Sequence, residues 1–340
     1  MIYRSKAPLR IGLAGGGTDV SPYTDLYGGA ILNATISLSA YASIEPLETS
    51  KIILEAFDRK ELQSHDWAPE LPVNGVLDLL KGVYNRVYRD YKVPANGFRL
   101  STYVDAPAGS GLGTSSTLVV AVLGAFVEMH KLPLGDYDIA HLAYDIERND
   151  LKLAGGRQDQ YAATFGGVNF MEFYKDDKVI VNPLRIRTQY LHELENNLVL
   201  YFTDTSRESA AIIKEQVKNV TNNNASSIEA MHQLKEQARM MKEALLKGRL
   251  NEFGEILDFG FSQKRKMASN ISNSRVEEIY MAAKAAGATG GKISGAGGGG
   301  FMIFYCPGNT NYAVKEALLK FGGEVKKYAF TKYGLTSWTI

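Results

Sequence analysis

The segment Asp105–Thr117, D-A-P-A-G-S-G-L-G-T-S-S-T, sets three glycines and a run of hydroxyl side chains directly before the apolar stretch L-V-V-A-V-L-G-A-F-V. That stretch is too long for a strand and rich in helix formers. Glycine lets a backbone amide approach an anion with no Cβ in the way, and Ser115 and Ser116 fall where a helix N-terminus offers unpaired N–H groups and partial positive charge. Pro107, Gly109, Ser110, Gly111, Leu112, Gly113, Thr114, Ser115 and Ser116 are therefore expected to cradle phosphate. An ordinary capped helix needs fewer glycines. This is not a P-loop, because no lysine follows these glycines, and G-A-T-G-G-K-I at 287–293 lacks both the spacing and the hydroxyl. The G-x-G-x-x-G at Gly295, Gly297 and Gly300 leads into the strand-like F-M-I-F-Y, whereas a dinucleotide fingerprint must open a helix.

Three more constellations could carry chemistry. In P-L-R-I-G-L-A-G-G-G-T-D, Pro8 to Asp19, a strand ends in glycines followed by a hydroxyl and a carboxylate, which suits either a tight turn or a ligand loop. Asp159 follows the flexible Gly155-Gly156-Arg157-Gln158, so its carboxylate can approach a ligand or cap a helix. Glu147 stands near a helix C-terminus, a poor dipole position for an anion that favours a cation partner. The glycine-rich run Lys292–Phe301 lies between apolar strands, where glycine packs nothing, so close approach to another backbone or to a ligand is expected. His65, His130, His141, His192 and His232 show no metal-ligand spacing, and no G-x-S-x-G elbow occurs.

The surrounding elements must position these groups. The first third is expected to be β-rich, with strands at Ile11–Ala14, Ala30–Ile36 and from Lys51, a helix from Val76, and a strand F-R-L-S-T-Y-V-D before the cradle. The helix after the cradle carries no charge from Leu118 to Val127 and should be buried all round. A helix from Asp136 leads towards Asp159, and G-G-V-N-F-M-E-F resumes a strand. After Asn182-Pro183, a boundary between domains 1–183 and 184–340, come the strand N-L-V-L-Y-F-T-D, three or four helices between Glu208 and Ala286, strands near 298–305 and 324–330, and a helix 312–321 between those strands. No unit repeats, and the pattern is α+β in two domains, as the length of 340 residues suggests.

Composition excludes several function classes. With 38 basic and 37 acidic residues and no block of like charge, nothing resembles a nucleic-acid footprint. The single cysteine, Cys306, allows no internal disulfide, and Arg4, Lys6 and Arg10 interrupt the N-terminus before an apolar region forms. No stretch is long enough to span a membrane. A cytoplasmic protein is expected, in which the sequons at Asn33, Asn219, Asn224 and Asn270 are chance matches.

Three glycine loops in this order, the middle one before an apolar helix, resemble the kinase superfamily of galactokinase, homoserine kinase, mevalonate kinase and phosphomevalonate kinase (GHMP kinases). The matching motifs are Pro8–Asp19, Pro107–Ser116 and Lys292–Gly300. The resemblance implies an N-terminal domain like the ribosomal S5 domain 2 fold and a ferredoxin-like α+β C-terminal domain. Within the superfamily, A-P-L-R-I-G-L-A-G-G-G-T-D-V-S-P-Y and Y-G-G-A-I-L-N-A-T-I look most like kinases that phosphorylate the anomeric hydroxyl of D-glycero-D-manno-heptose 7-phosphate for nucleotide-activated heptose. Fucokinase domains carry a similar, less close first motif. Galactokinases have an acidic residue and a histidine where Gly16 and Gly17 stand.

The resemblance implies ATP and Mg²⁺, with the cradle on the ATP phosphates and Ser116, with or without Ser115, and Glu147 on the metal. It makes Asp159 the general base or hydroxyl-orienting group and Arg10 its charge partner. It puts Gly16, Gly17, Thr18 and Asp19 on the sugar, with Gly295, Ala296 and Gly297 supporting the site. A phosphorylated acceptor needs a further cation, for which Arg157, Arg207, Lys264 and Arg265 are candidates, Arg207 first because it stands at a probable helix start. A fucose or other hexose 1-kinase, and a catalytically silent sugar and ATP sensor, are the alternatives. A monomer or homodimer without a nucleic-acid or membrane partner is expected.

Overall fold

β-Branched and aliphatic residues fill the first two strands, β1 (Tyr3–Ala14) and β2 (Gly29–Pro46), separated by a short helix α1 (Tyr23–Tyr27). In the computed structural model, which describes residues 1–204 and 209–340 with the backbone alone at 209, these strands pair antiparallel at the centre of a large mixed sheet. Both run well beyond the spans expected from sequence. The extra residues are Arg4, Lys6 and an alternation of small side chains, which carry little apolar signal on their own. Every residue of β1 from Ala7 to Ala14 is buried, so both faces are covered.

The sheet continues with β3 (Lys51–Ala56), β4 (Glu61–Asp66) and β5 (Phe98–Val104), the last two separated by helix α2 (Asp78–Tyr91). Its path is completed by the cradle helix α3 (Thr114–His130), α4 (Asp136–Asp145), a π-helical turn Ile146–Asp150, α5 (Gln158–Phe165), β6 (Val168–Phe173) and β7 (Val179–Pro183). Helix α3 is uncharged from Thr114 to Val127 and packs on β1 and β2 with every residue from Ser116 to Phe126 buried, as its sequence demands.

Beyond residue 183 come α6 (Thr188–Asn197), β8 (Leu198–Phe202), α7 (Ser209–Thr221), α8 (Ala225–Lys247), α9 (Phe253–Lys264) and α10 (Ser274–Ala285). The strands β9 (Gly290–Ile293), β10 (Phe301–Tyr305) and β11 (Glu324–Lys326), with α11 (Thr310–Leu319), finish a second, four-stranded antiparallel sheet in the order β11-β8-β10-β9. A second apolar cluster centred on Val199, Tyr201, Met302 and Phe304 lies against it. The last strand, β12 (Thr336–Thr339), returns to pair with β1, so the C-terminal tail belongs to the large sheet. The strand expected over 324–330 shortens to Glu324–Lys326, and Phe330 makes an isolated bridge to Ile36 instead. The result is a mixed α+β architecture built on two sheets, in keeping with the α+β pattern of the sequence. Among the described residues no helix is long and apolar enough to cross a membrane.

Candidate active site

Arg10 occupies β1 between two irregularities in its pairing with β2, at Pro8/Arg10 and Gly12/Ala14. Such breaks re-aim side chains out of a regular ladder. The guanidinium, almost fully buried, meets Asp159 with Nη2 at 2.6 Å and Nε donating to Oδ1 at 2.7 Å, while Nη1 donates to the Gly111 carbonyl at 2.6 Å. Asp159 stands in the first turn of α5, where the partial positive charge of a helix start favours its carboxylate. A Cβ on Gly113, the residue before α3, would lie 3.2 Å from the Asp159 Cγ, so the acid sits directly against the cradle.

The cradle and the third glycine loop are built against each other. The Gly111 carbonyl also accepts from Ser294 Oγ at 2.8 Å, and Phe301 N donates to the Ser110 carbonyl at 2.8 Å. Gly111 has φ +89°, and a Cβ there would stand 2.6 Å from the Ser294 carbonyl oxygen. Only glycine permits both the left-handed backbone and that approach. The third loop therefore clamps the phosphate loop from the other sheet, as its close-approach reading anticipates.

Glu147 lies in the π-helical turn, a widened geometry that often marks functional sites. Its carboxylate is fully buried and accepts from Ser115 Oγ at 2.8 Å and from Gln160 Nε2 at 2.5 Å. Gln160 Nε2 also reaches Ser116 Oγ at 3.1 Å, so one amide ties both expected metal ligands together. The residues fit a magnesium ion that keeps few protein ligands and takes phosphate oxygens and water for the rest: one carboxylate and one hydroxyl converge at the cradle, and Gln160 Oε1 is buried there with no partner. Gln160 carries no motif signal and was not anticipated.

Asp19 is buried and accepts from the backbone N–H groups of Arg157 at 2.8 Å and Gln158 at 3.0 Å, capping the start of α5 from the first loop. Burial pushes its carboxyl pKa up, with the nearby charge of Asp159 adding to the rise and the two N–H donors opposing it. Gly156 must lack a side chain, since a Cβ there would strike the Asp19 carboxylate at 1.9 Å. Thr18 is placed differently. Its hydroxyl donates to the Gly15 carbonyl at 2.9 Å and accepts from Ala30 N at 3.1 Å, fully buried inside the loop it closes.

These groups open into one cavity of about 710 Å³, within the range that holds small-molecule ligands. Arg10, Gly16, Gly17, Asp19, Gly109, Gly111, Gly113, Thr114, Ser115, Ser116, Glu147, Asp159, Gly295 and Ala296 line it; Thr18, Pro107, Ser110, Leu112 and Gly297 do not, and Arg207 lies outside the described residues. A second, mostly apolar cavity of about 220 Å³, bounded by Val73, Leu79, Leu118 and Leu151, shares Leu153 with the first. Two buried lysines also line the large cavity. Lys264 donates to the Gly295 carbonyl, and Lys292 donates to the Gly12 carbonyl at 2.8 Å. Burial, with the positive charge of Arg10 beside it, lowers the Lys264 pKa to about 8, and burial together with Lys264 and Arg10 lowers that of Lys292 further. Lys292 opens the third glycine run in the sequence, yet nothing there gives it a role.

Models of the GHMP kinases match the chain twice, the N terminal domain over residues 78–167 and the C terminal domain over 241–324. The D-glycero-alpha-D-manno-heptose 7-phosphate kinase of Campylobacter jejuni is 47% identical over 99% of both chains. A crystal structure of a D-glycero-D-manno-heptose 1-phosphate kinase from Bacteriodes thetaiotaomicron superposes with a TM-score of 0.86 at 46% identity, covering 99% of each chain. An L-fucokinase/L-fucose-1-P guanylyltransferase of Bacteroides fragilis is 28% identical over 87% of this chain and 34% of its own length. The three glycine loops, the clamp between them and a near full-length relative at this identity agree, and the chain belongs to the GHMP kinase family.

Proposed function

We propose that this protein transfers the γ-phosphoryl group of ATP to the anomeric hydroxyl of D-glycero-D-manno-heptose 7-phosphate. One observation carries the chemistry: the Asp159 carboxylate, fixed by Arg10, lies against Gly113 of the glycine cradle, so a proton acceptor and a phosphate seat share one cavity. The identity of the sugar rests on the Campylobacter relative, which is far more similar than the fucokinase.

In this reading the amides of 109–116 hold the ATP phosphates, and the small apolar cavity beside them takes the base. Ser116 and Glu147, aligned by Gln160, would hold Mg²⁺. A metal held there would supply positive charge to offset that of the transferring phosphates. Asp159 receives or orients the proton of the acceptor hydroxyl. An anomeric hydroxyl is more acidic than an ordinary alcohol, so no strongly basic group is needed. Arg10 holds the carboxylate in place and adds positive charge where negative charge gathers. Asp19, presented by the glycine loop, accepts from sugar hydroxyls while it caps α5. Residues 1–183 form the nucleotide-binding half and 184–340 the other, apart from the tail strand 336–339. We place the enzyme in the cytoplasm, where ATP and reduced thiols suit its lone buried Cys306.

The test is ADP release with heptose 7-phosphate, free heptose and L-fucose at matched concentrations. A kcat/KM for the phosphorylated heptose well above those for free heptose and L-fucose is expected. Turnover of only the unphosphorylated sugars contradicts the assignment.

A further inference from the structure

Resting on that reading, a phosphorylated acceptor brings a second dianion into the cavity, and a desolvated dianion needs a fixed cation. The cations around the site differ sharply in what they are already doing. Arg157 is spent on structure: its guanidinium reaches Asp177 at 2.7 Å and Asp25 at 3.2 Å, donates to the Tyr174 carbonyl, and lies over the Tyr144 ring. Arg265 makes a two-point bond to Glu277, at 2.8 and 2.9 Å, and stacks on Phe261 at 3.8 Å. Neither lines the large cavity. Arg10 is committed to Asp159, and Arg148 is held by the carbonyls of Leu153 and Gly156.

Lys264 and Lys292 are the exceptions. Lys264 ends α9, lines the cavity, is 3% exposed, and makes no ion pair with a carboxylate among the described residues; its described bond is to the neutral Gly295 carbonyl. Its Nζ stands 3.7 Å from where a Cβ on residue 16 would be, so the bare backbone of Gly16 leaves the ammonium open to the cavity. Gln216 of α7 lines the same cavity, facing the next residue of the glycine loop. Its Oε1 lies 3.5 Å from the Cβ position of residue 17, and this 3%-exposed amide has no hydrogen-bond partner among the described residues. Lys292 lies against Gly12 of β1, whose carbonyl accepts from it, rather than against the glycine loop at 15–17.

We infer that Lys264, with the Gln216 amide beside it, receives the acceptor's own phosphate and thereby selects a sugar phosphate over a free sugar. Among the described residues, an ammonium without an ion pair and an amide without a hydrogen bond, both left open by the bare backbone at positions 16 and 17, form a ready seat for a phosphate. Asp19 favours the Lys264 charge from a distance but forms no ion pair with it, so a bound phosphate supplies the direct counter-ion.

The experiment measures kcat and KM on heptose 7-phosphate and on the same heptose without phosphate for the full chain, Lys264→Met, Lys264→Gln and Arg265→Ala, with thermal melts of each. The expected result is a rise of about 10²-fold in KM for the phosphorylated sugar in both Lys264 variants. The kcat/KM for the free sugar should change less than about threefold, the Lys264 variants should melt no lower than the wild type, and Arg265→Ala should leave the ratio between the two sugars unchanged. Equal losses on both sugars, which would put Lys264 on the transferred phosphoryl group, overturn the assignment. So does an unchanged ratio in folded variants. A wild-type protein inactive on heptose 7-phosphate overturns the functional reading itself, an outcome distinct from either.

Discussion

Arg10 and Asp159, 149 residues apart in sequence, meet through two guanidinium nitrogens on one carboxylate oxygen, and the same guanidinium holds the Gly111 carbonyl of the phosphate cradle. The acid and the cradle therefore share a single buried anchor. Replacing Asp159 by Asn keeps the shape and removes the proton acceptor. In steady-state kinetics the variant should lose on the order of 10²–10⁴ in kcat with little change in either KM. A loss confined to KM would make Asp159 a binding group only.

Glu147 sits in a turn that no helix-propensity pattern announces, yet its carboxylate reaches the cradle hydroxyl of Ser115 and the Gln160 amide. Glu147→Gln should raise the Mg²⁺ concentration for half-maximal activity by about tenfold or more, because a single carboxylate supplies most of the protein's charge to the ion. Gln160→Leu should produce a smaller shift in the same direction by releasing Glu147. A magnesium titration of the rate checks both, and an unchanged midpoint in Glu147→Gln would remove it from the metal site.

Asp19 combines a cap with a substrate contact, and its protonation separates the two. Burial raises its folded-state pKa, so the folded form binds the proton more tightly than the unfolded chain does. Stability from this group is thus present at low pH and is lost as pH rises from the ordinary carboxylate range through the raised value. Asp19→Asn still accepts from the Arg157 and Gln158 amides without the buried charge. Its melting temperature at neutral pH should equal or exceed the wild type's, the difference shrinking on acidification, while the acceptor KM rises. A marked loss of stability at neutral pH would mean that the charge, rather than the oxygen, makes the cap.

Lys264 carries the opposite sign. Its folded pKa of about 8 lies below the ordinary lysine value of 10.5, so the unfolded chain binds the proton more tightly, and stability rises as pH increases from about 8 towards 10.5. Holding the ammonium charged at neutral pH costs on the order of 3 kcal/mol of folding free energy. Lys264→Met should therefore melt higher than the wild type at neutral pH while binding the phosphorylated acceptor worse. A lower melt would show that the bond to the Gly295 carbonyl outweighs the burial of the charge.

Much of this site is visible in the sequence because glycine is costly. The runs at 15–17, 109–113 and 295–300 make sense only where backbones meet ligands or each other, and Gly111 against Ser294 realises that contact. Asp159 and Glu147 stand out through their glycine neighbours and poor helix position. The long, uncharged α3 declares its burial. Other parts depend on distance in space. Thr18 stands beside Asp19 in the motif, yet its hydroxyl closes the loop, because only the fold brings the Ala30 backbone to it. The placements of Gln160, Gln216 and Lys264 arise from contacts between remote elements, and β12 joins the first sheet although its four residues carry no strand-length pattern.

The most direct measurement of the central claim is the position of the phosphate in the product made from heptose 7-phosphate and ATP, read by phosphorus–proton correlation in NMR. The account predicts a bisphosphate in which a new phosphorus signal couples to the anomeric proton, in one-to-one ratio with ADP. A phosphate on any other carbon, or ADP released with the sugar unchanged, would contradict it.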